Sequence, residues 1–155
     1  MPAPNSHAPV SLFKRLLSII YDLILLIAIC FIVAVTVSIF TTFVINDGNA
    51  ITEEHPFYLM NQIIMLFTIF MTGFVFYVWF WSHGGQTLGM KTWMLRLVSE
   101  DGTEIDKKQA SLRALVAVFS WCIFGLGFLW CFIDSRKRTW HDILSSSYLV
   151  QLEKK

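Results

Sequence analysis

The sequence predicts a mainly α, polytopic membrane protein that carries a small antiparallel β-sheet on its cytoplasmic side. Three observations carry that expectation. Of the 155 residues, 55% are hydrophobic and 15% charged, whereas soluble chains average about 25% charge. Mean hydropathy is +0.60. Two long apolar runs, 16–45 and 57–82, exceed the roughly 20 residues that cross a bilayer core as a helix. A third run, 114–133, is broken near its middle by Gly125-Leu126-Gly127.

Residues 1–12 read as a mobile tail with Pro2, Pro4 and Pro9. Polar start and long apolar run together argue against a cleaved signal peptide, so the first run is expected to be retained. The domain proper runs from 13 to 152. Its first helix, about 13–45, opens with Lys14 and Arg15 and takes one acid, Asp22, inside the apolar stretch. Asp22 follows Arg15 by seven residues, close to two helical turns, so both project from one face, with Ser18 between them. A carboxylate at that depth costs on the order of 2.5–3.5 kcal/mol unless paired or hydrated. Hydrophobic burial does not account for it. Asp22 is therefore either a packing clasp or an ion or substrate site. Thr36, Ser38, Thr41 and Thr42 supply hydroxyls further along, expected to satisfy backbone carbonyls or pack on a neighbour.

The loop 46–56 carries Asp47, Glu53 and Glu54 and no Lys or Arg, as expected of an extracytoplasmic face. The second helix, about 57–82, ends in Tyr77, Trp79 and Trp81, an interfacial aromatic set. Its Thr68 and Thr72 stand one turn apart, placed to face Asp22 as supporting polar groups. The loop 83–113 holds Lys91, Arg96, Lys107, Lys108 and Arg113, and that cation excess assigns it to the cytoplasm, with the N-terminus. Residues 93–106 read as a β-hairpin about Asp101-Gly102, and 147–152 as a third strand of the same sheet.

The broken segment, about 109–133, is expected as a re-entrant or kinked helical hairpin, or alternatively as a third span. Arg136-Lys137-Arg138 follows it directly, and a full span would put that triplet outside, against the positive-inside rule. In the tail, 134–155, Asp134, Arg138, His141 and Asp142 gather the densest charge.

Other chemistries find little support. The net charge is +1 and no basic, aromatic-interleaved surface points to nucleic acid. Gly84 and Gly89 have phosphate-loop spacing, but Met90 stands before Lys91 and no parallel strand precedes them. Cys30, Cys122 and Cys131 lie in apolar runs and read as small hydrophobes. His141 beside Asp142 is not a metal set. Neither an enzyme nor a cofactor is expected.

Several segments in order resemble the RDD family of small bacterial integral membrane proteins, named for one arginine and two aspartates. The first pair resembles Arg15 and Asp22. A glycine-threonine-glycine-lysine turn is similar to Gly85-Gln86-Thr87-Leu88-Gly89-Met90-Lys91, and the strand, Asp-Gly turn and arginine that follow are similar to 95–98, 101–102 and Arg113. The closing pattern resembles Asp134 through Arg138-Thr139-Trp140-His141-Asp142, ending in Tyr148-Leu149-Val150. The second signature aspartate is Asp142 or Asp134, with Asp142 preferred. The resemblance covers about residues 13–151. It implies a multi-pass protein of the bacterial inner membrane with a transport role, cation–proton exchange having been proposed for some relatives.

Two functions follow as expectations. In the first, Asp22 exchanges a proton for a monovalent cation, with Arg15 or Arg113 tuning it; two spans and a hairpin are too few to enclose a path, so a homo-oligomer or a membrane partner is required. In the second, Arg15, Asp22, Arg113, Asp134 and Asp142, supported by Ser18, Lys91 and His141, form a charge network that holds an interaction module together.

Overall fold

A computed structural model of the chain describes residues 10–134 and 138–152. Of the expected mobile tail 1–12, residues 1–9 lie outside the described residues, as do the basic residues Arg136 and Lys137, whereas Val10 is buried in the apolar core rather than free and α1 already starts at Leu12. Helix α1 runs Leu12–Phe40 and continues as a wider turn over Thr41–Ile45; α2 is Tyr58–Ser82. A short helix α3, Leu88–Thr92, leads into strand β1, Leu95–Ser99. Then come α4, Lys107–Cys122; α5, Leu126–Leu129, with a 3-10 turn Trp130–Phe132; α6, Trp140–Leu144; and strand β2, Ser147–Gln151.

Two helices, Leu12–Ile45 and Tyr58–Ser82, are long and apolar enough to cross a membrane. Their burial is inverted relative to a water-soluble helix. The residues of α1 that are buried are Ser18 and Asp22, while Ile24, Phe31 and Ile32 are exposed. Apolar surface of that extent belongs in lipid or against another chain.

The chain divides into two compact units. One comprises the chain up to Leu23 and from Phe76 onward; the other is Ile24–Val75. In the second unit, hydroxyl protons stay on their own helix: Thr36 donates to the Ile32 carbonyl, Thr68 to Ile64 and Thr72 to Thr68. Gly73 brings the helices close, and a Cβ there would meet Leu26 Cδ2 at 3.6 Å, an ordinary contact. The connection is tied by Asn46, whose Oδ1 lies 3.0 Å from His55 Nε2.

The first unit holds the sheet and the apolar core. Strand β1 pairs antiparallel with β2 in a register that sets Leu95 opposite Gln151 and Ser99 opposite Ser147. Leu95 and Leu97 point inward, packing with Val10, Met90, Ile105 and Ala110. The expected hairpin over 93–106 is not what forms. Residues 103–105 make no strand; Asp101 instead captures the Thr103 amide and hydroxyl in a tight turn, and one Ser99 amide bond to the Thr103 carbonyl remains. The return strand is β2, which offers β1 five paired positions. The sheet therefore has two strands rather than three.

Helix α4 starts at a reciprocal cap between Asp106 and Gln109. It ends at a sharp reversal in which Phe124 and Gly125 both take positive φ, 58° and 72°, a conformation glycine adopts without steric cost. The helices on either side are bent by 107°.

Candidate functional site

The site lies within the first unit and consists of two separate carboxylate clasps. Both are built by local structure that the sequence encodes. Thr87 caps α3, its hydroxyl accepting from the Met90 amide. That same hydroxyl donates to Asp22 Oδ2 at 2.5 Å, and the Gly89 amide donates to Asp22 Oδ1 at 2.8 Å. Each carboxylate oxygen thus receives a donor from the first turn of α3, and Asp22 is only 2% exposed. Gly89 is required by closeness: a Cβ there would lie 2.2 Å from the Ser18 carbonyl oxygen and 2.9 Å from the Asp22 carboxyl carbon. Ser18 uses its own hydroxyl on the Arg15 carbonyl.

The second clasp is centred on Asp142, 1% exposed, in the first turn of α6. Thr139 and Asp142 form a reciprocal cap, the Thr139 amide donating to Asp142 Oδ2 at 3.0 Å. Arg15 Nη1 reaches the same Oδ2 at 3.0 Å, and Arg113 Nη1 reaches Oδ1 at 2.7 Å. Arg113 also donates to Ser147 Oγ at 2.8 Å and lays its guanidinium over the Trp81 ring, 5.3 Å from the centroid. Ser147 meets Ser145, whose hydroxyl returns to the His141 carbonyl. Through Arg15, Arg113 and Ser147 the cluster around Asp142 joins the start of α1, the middle of α4, α6 and β2.

The electrostatics follow from this geometry. Burial alone would raise the Asp142 carboxyl; the Arg113 and Arg15 guanidiniums reverse that and hold it well below the usual carboxylate range. His141, packed against the Phe128 ring at 4.7 Å between centroids, is pushed down from 6.5 to about 3 by burial and then by the Arg113 charge. Both shifts have the same sign for stability, because in each case the unfolded chain takes up the proton first. The stability these two groups contribute should be full above pH 6.5, the ordinary histidine value. It should fall as His141 is driven to protonate between 6.5 and about 3, and again as Asp142 does so below its ordinary 3.8. Thermal unfolding in detergent across this range should show the earlier loss, and His141→Phe should remove it while leaving the later one.

The expected residues thus separate. Arg15, Arg113 and Asp142 come together, with His141 Nε2 4.0 Å from Asp142 Oδ1. Asp22 is not tuned by either arginine; its partners are Thr87 and Gly89, because Arg15 turns to Asp142 instead. Asp134 binds the Arg138 amide and guanidinium, so Asp142 is the carboxylate that meets Arg15. Lys91 is exposed in the last turn of α3. Thr68 and Thr72 belong to the Ile24–Val75 unit and spend their protons on their own helix. Sequence reasoning missed the roles of Thr87, Gly89, Ser145, Ser147 and Trp81. The turn around Thr87 and Gly89 stood out only as a motif, since backbone amide donors leave no mark in a sequence. No group of three or more His, Cys, Asp or Glu side chains placed to hold a metal occurs among the described residues.

Comparison with known proteins identifies the family. A Bacillus subtilis (strain 168) protein described as "Uncharacterized protein YckC" is 28% identical over 96 residues, covering 59% of this chain and 58% of that protein. The chain thus matches somewhat over half the length of this curated relative. No solved structure matches. The profile of the RDD family matches residues 9–146, a stretch that includes Arg15, Asp22, Arg113 and Asp142 and ends just before β2, and the chain belongs to the RDD family.

Proposed function

We propose that the protein is a membrane-embedded assembly subunit whose aspartates are clasps rather than carriers. One observation carries this reading: each oxygen of Asp22 and of Asp142 faces a donor from the same chain. A carboxylate that bound a cation would need further oxygen ligands around it. Asp22 instead faces the Gly89 N–H, the wrong polarity for a cation neighbour.

On this reading the protein sits in the bacterial inner membrane with its N-terminus and sheet cytoplasmic, and the exposed apolar faces of its helices meet lipid, a second copy or a membrane partner. Cation–proton exchange is the second reading. It is favoured by Asp22 itself, a buried carboxylate on a spanning helix whose Oδ2 partner is a rotatable hydroxyl.

The two separate in proteoliposomes loaded with a pH dye and challenged with sodium or potassium gradients, wild type against Asp22→Asn. The assembly reading expects background proton movement from both, with the variant unfolding at lower temperature. Loss of one charge-assisted hydrogen bond, about 1.5–3 kcal/mol, is the expected cost. Exchange present in the wild type and absent from an equally stable variant would replace this reading with the transporter.

A further inference from the structure

The geometry points to the α4–α5 segment as a wedge that enters one leaflet of the bilayer and leaves by the same face. The inference is independent of whether the protein transports. It rests first on connectivity. Strand β1 precedes the segment and β2 follows it, and the two are hydrogen-bonded over their whole length. Arg113 at its entry is 2.7 Å from Asp142 just beyond its exit. Chain ends tied to one sheet and one ion pair lie on one side of the membrane, which leaves no room for a full crossing between them.

Length agrees. The nine uncharged residues 114–122 of α4 rise about 13 Å at 1.5 Å each. The return, Leu126–Leu129 and Trp130–Phe132, rises about 12 Å. Either arm covers somewhat less than half of a hydrocarbon core about 30 Å thick. The surface is that of a lipid-facing element. No Asp, Glu, Lys, Arg or His occurs from 114 to 133. Phe124 at the bend is 95% exposed, and Trp121, Phe132 and Ile133 are exposed at 64%, 72% and 75%.

The backbone meets part of the demand that lipid imposes. Main chain at membrane depth must have its polar groups satisfied within the protein. Here the Gly125 amide donates to the Ser120 carbonyl at 2.8 Å, and the Phe128 amide closes on the Gly125 carbonyl at 2.9 Å. Gly127 lets the return arm lie against α4, since a Cβ there would meet Ser120 Oγ at 2.4 Å. The bend is thus a closed reversal rather than a disrupted span.

The test uses the full chain in vesicles, with Cys30, Cys122 and Cys131 replaced by alanine or serine and one cysteine introduced at a time. Glu104→Cys and Ser146→Cys bracket the segment, Glu53→Cys reports the loop between the spans, and Phe124→Cys reports the bend. A membrane-impermeant maleimide should label the bracketing pair from one face and Glu53→Cys from the other. A nitroxide on Phe124→Cys should be relaxed by oxygen and not by a water-soluble nickel chelate. Labelling of Glu104→Cys and Ser146→Cys from opposite faces would make the segment a third span. Nickel access at Phe124→Cys would place the bend in water. Spin–spin broadening there that disappears on dilution with unlabelled protein would show a second copy, not lipid, covering it. Each of these three results overturns the wedge.

Discussion

Asp142→Asn is expected to destabilise the first unit by about 3–5 kcal/mol, the range seen when one partner of a buried ion pair is removed. Two guanidiniums would remain beside each other, Arg113 almost fully buried and Arg15 largely so. The carboxamide can still cap α6, so the loss isolates charge from capping. Thermal unfolding in detergent, followed by circular dichroism, measures it. A second substitution gives the diagnostic sign. Arg113→Met alone should destabilise, but added to Asp142→Asn it should recover stability, because it removes a charge the carboxylate no longer offsets. Additive losses would mean that the two residues act separately.

Gly89→Ala is expected to be strongly destabilising for a single added methyl group. Its Cβ would fall 2.2 Å from the Ser18 carbonyl oxygen and 2.9 Å from the Asp22 carboxyl carbon. Backbone cannot yield as a flexible side chain does, so α3 must lift from α1. The cost combines overpacking, typically about 1–3 kcal/mol, with loss of the two hydrogen bonds to Asp22. Gly73→Ala is the control. There the new methyl group meets only Leu26 at 3.6 Å, and alanine favours a helix over glycine by about 1 kcal/mol. The Gly89 variant should unfold at clearly lower temperature than wild type, and the Gly73 variant at or above it. Equal behaviour of the two would mean that α3 does not dock on Asp22.

The long apolar runs made the two candidate spans visible from the sequence, because helix length and hydropathy are local properties. Gly125 and Gly127 likewise announced the break in the third run. The pairing of the charges was another matter. Seven residues between Arg15 and Asp22 put them on one helical face, and that is all such spacing can say. Which of them meets Asp142 depends on how α4 and α6 fold back, and those contacts cross more than a hundred positions of sequence. The Thr103–Ile105 strand failed for a comparable reason. Local propensity and an Asp-Gly turn favoured a hairpin, but a distant strand offered five paired positions. The donors on Asp22 were hidden for a different reason: a backbone amide looks the same at every residue.

The pairing of β1 with β2 has a consequence for how the protein is made. Leu95 and Leu97 leave the ribosome long before Ser147–Gln151, so the two most buried leucines of the sheet must wait for their cover. The Lys14 ammonium waits as well, since its hydrogen bond is to Gln151. Domains usually fold from the N-terminus as synthesis proceeds, yet this unit draws on both ends of the described chain and closes only with its last strand. A nascent chain cut before Ser147 would carry its spans intact and its head open. A chain that carries β2 is thereby distinguishable from one that ends before it, in which a protease would meet the unpaired edge of β1.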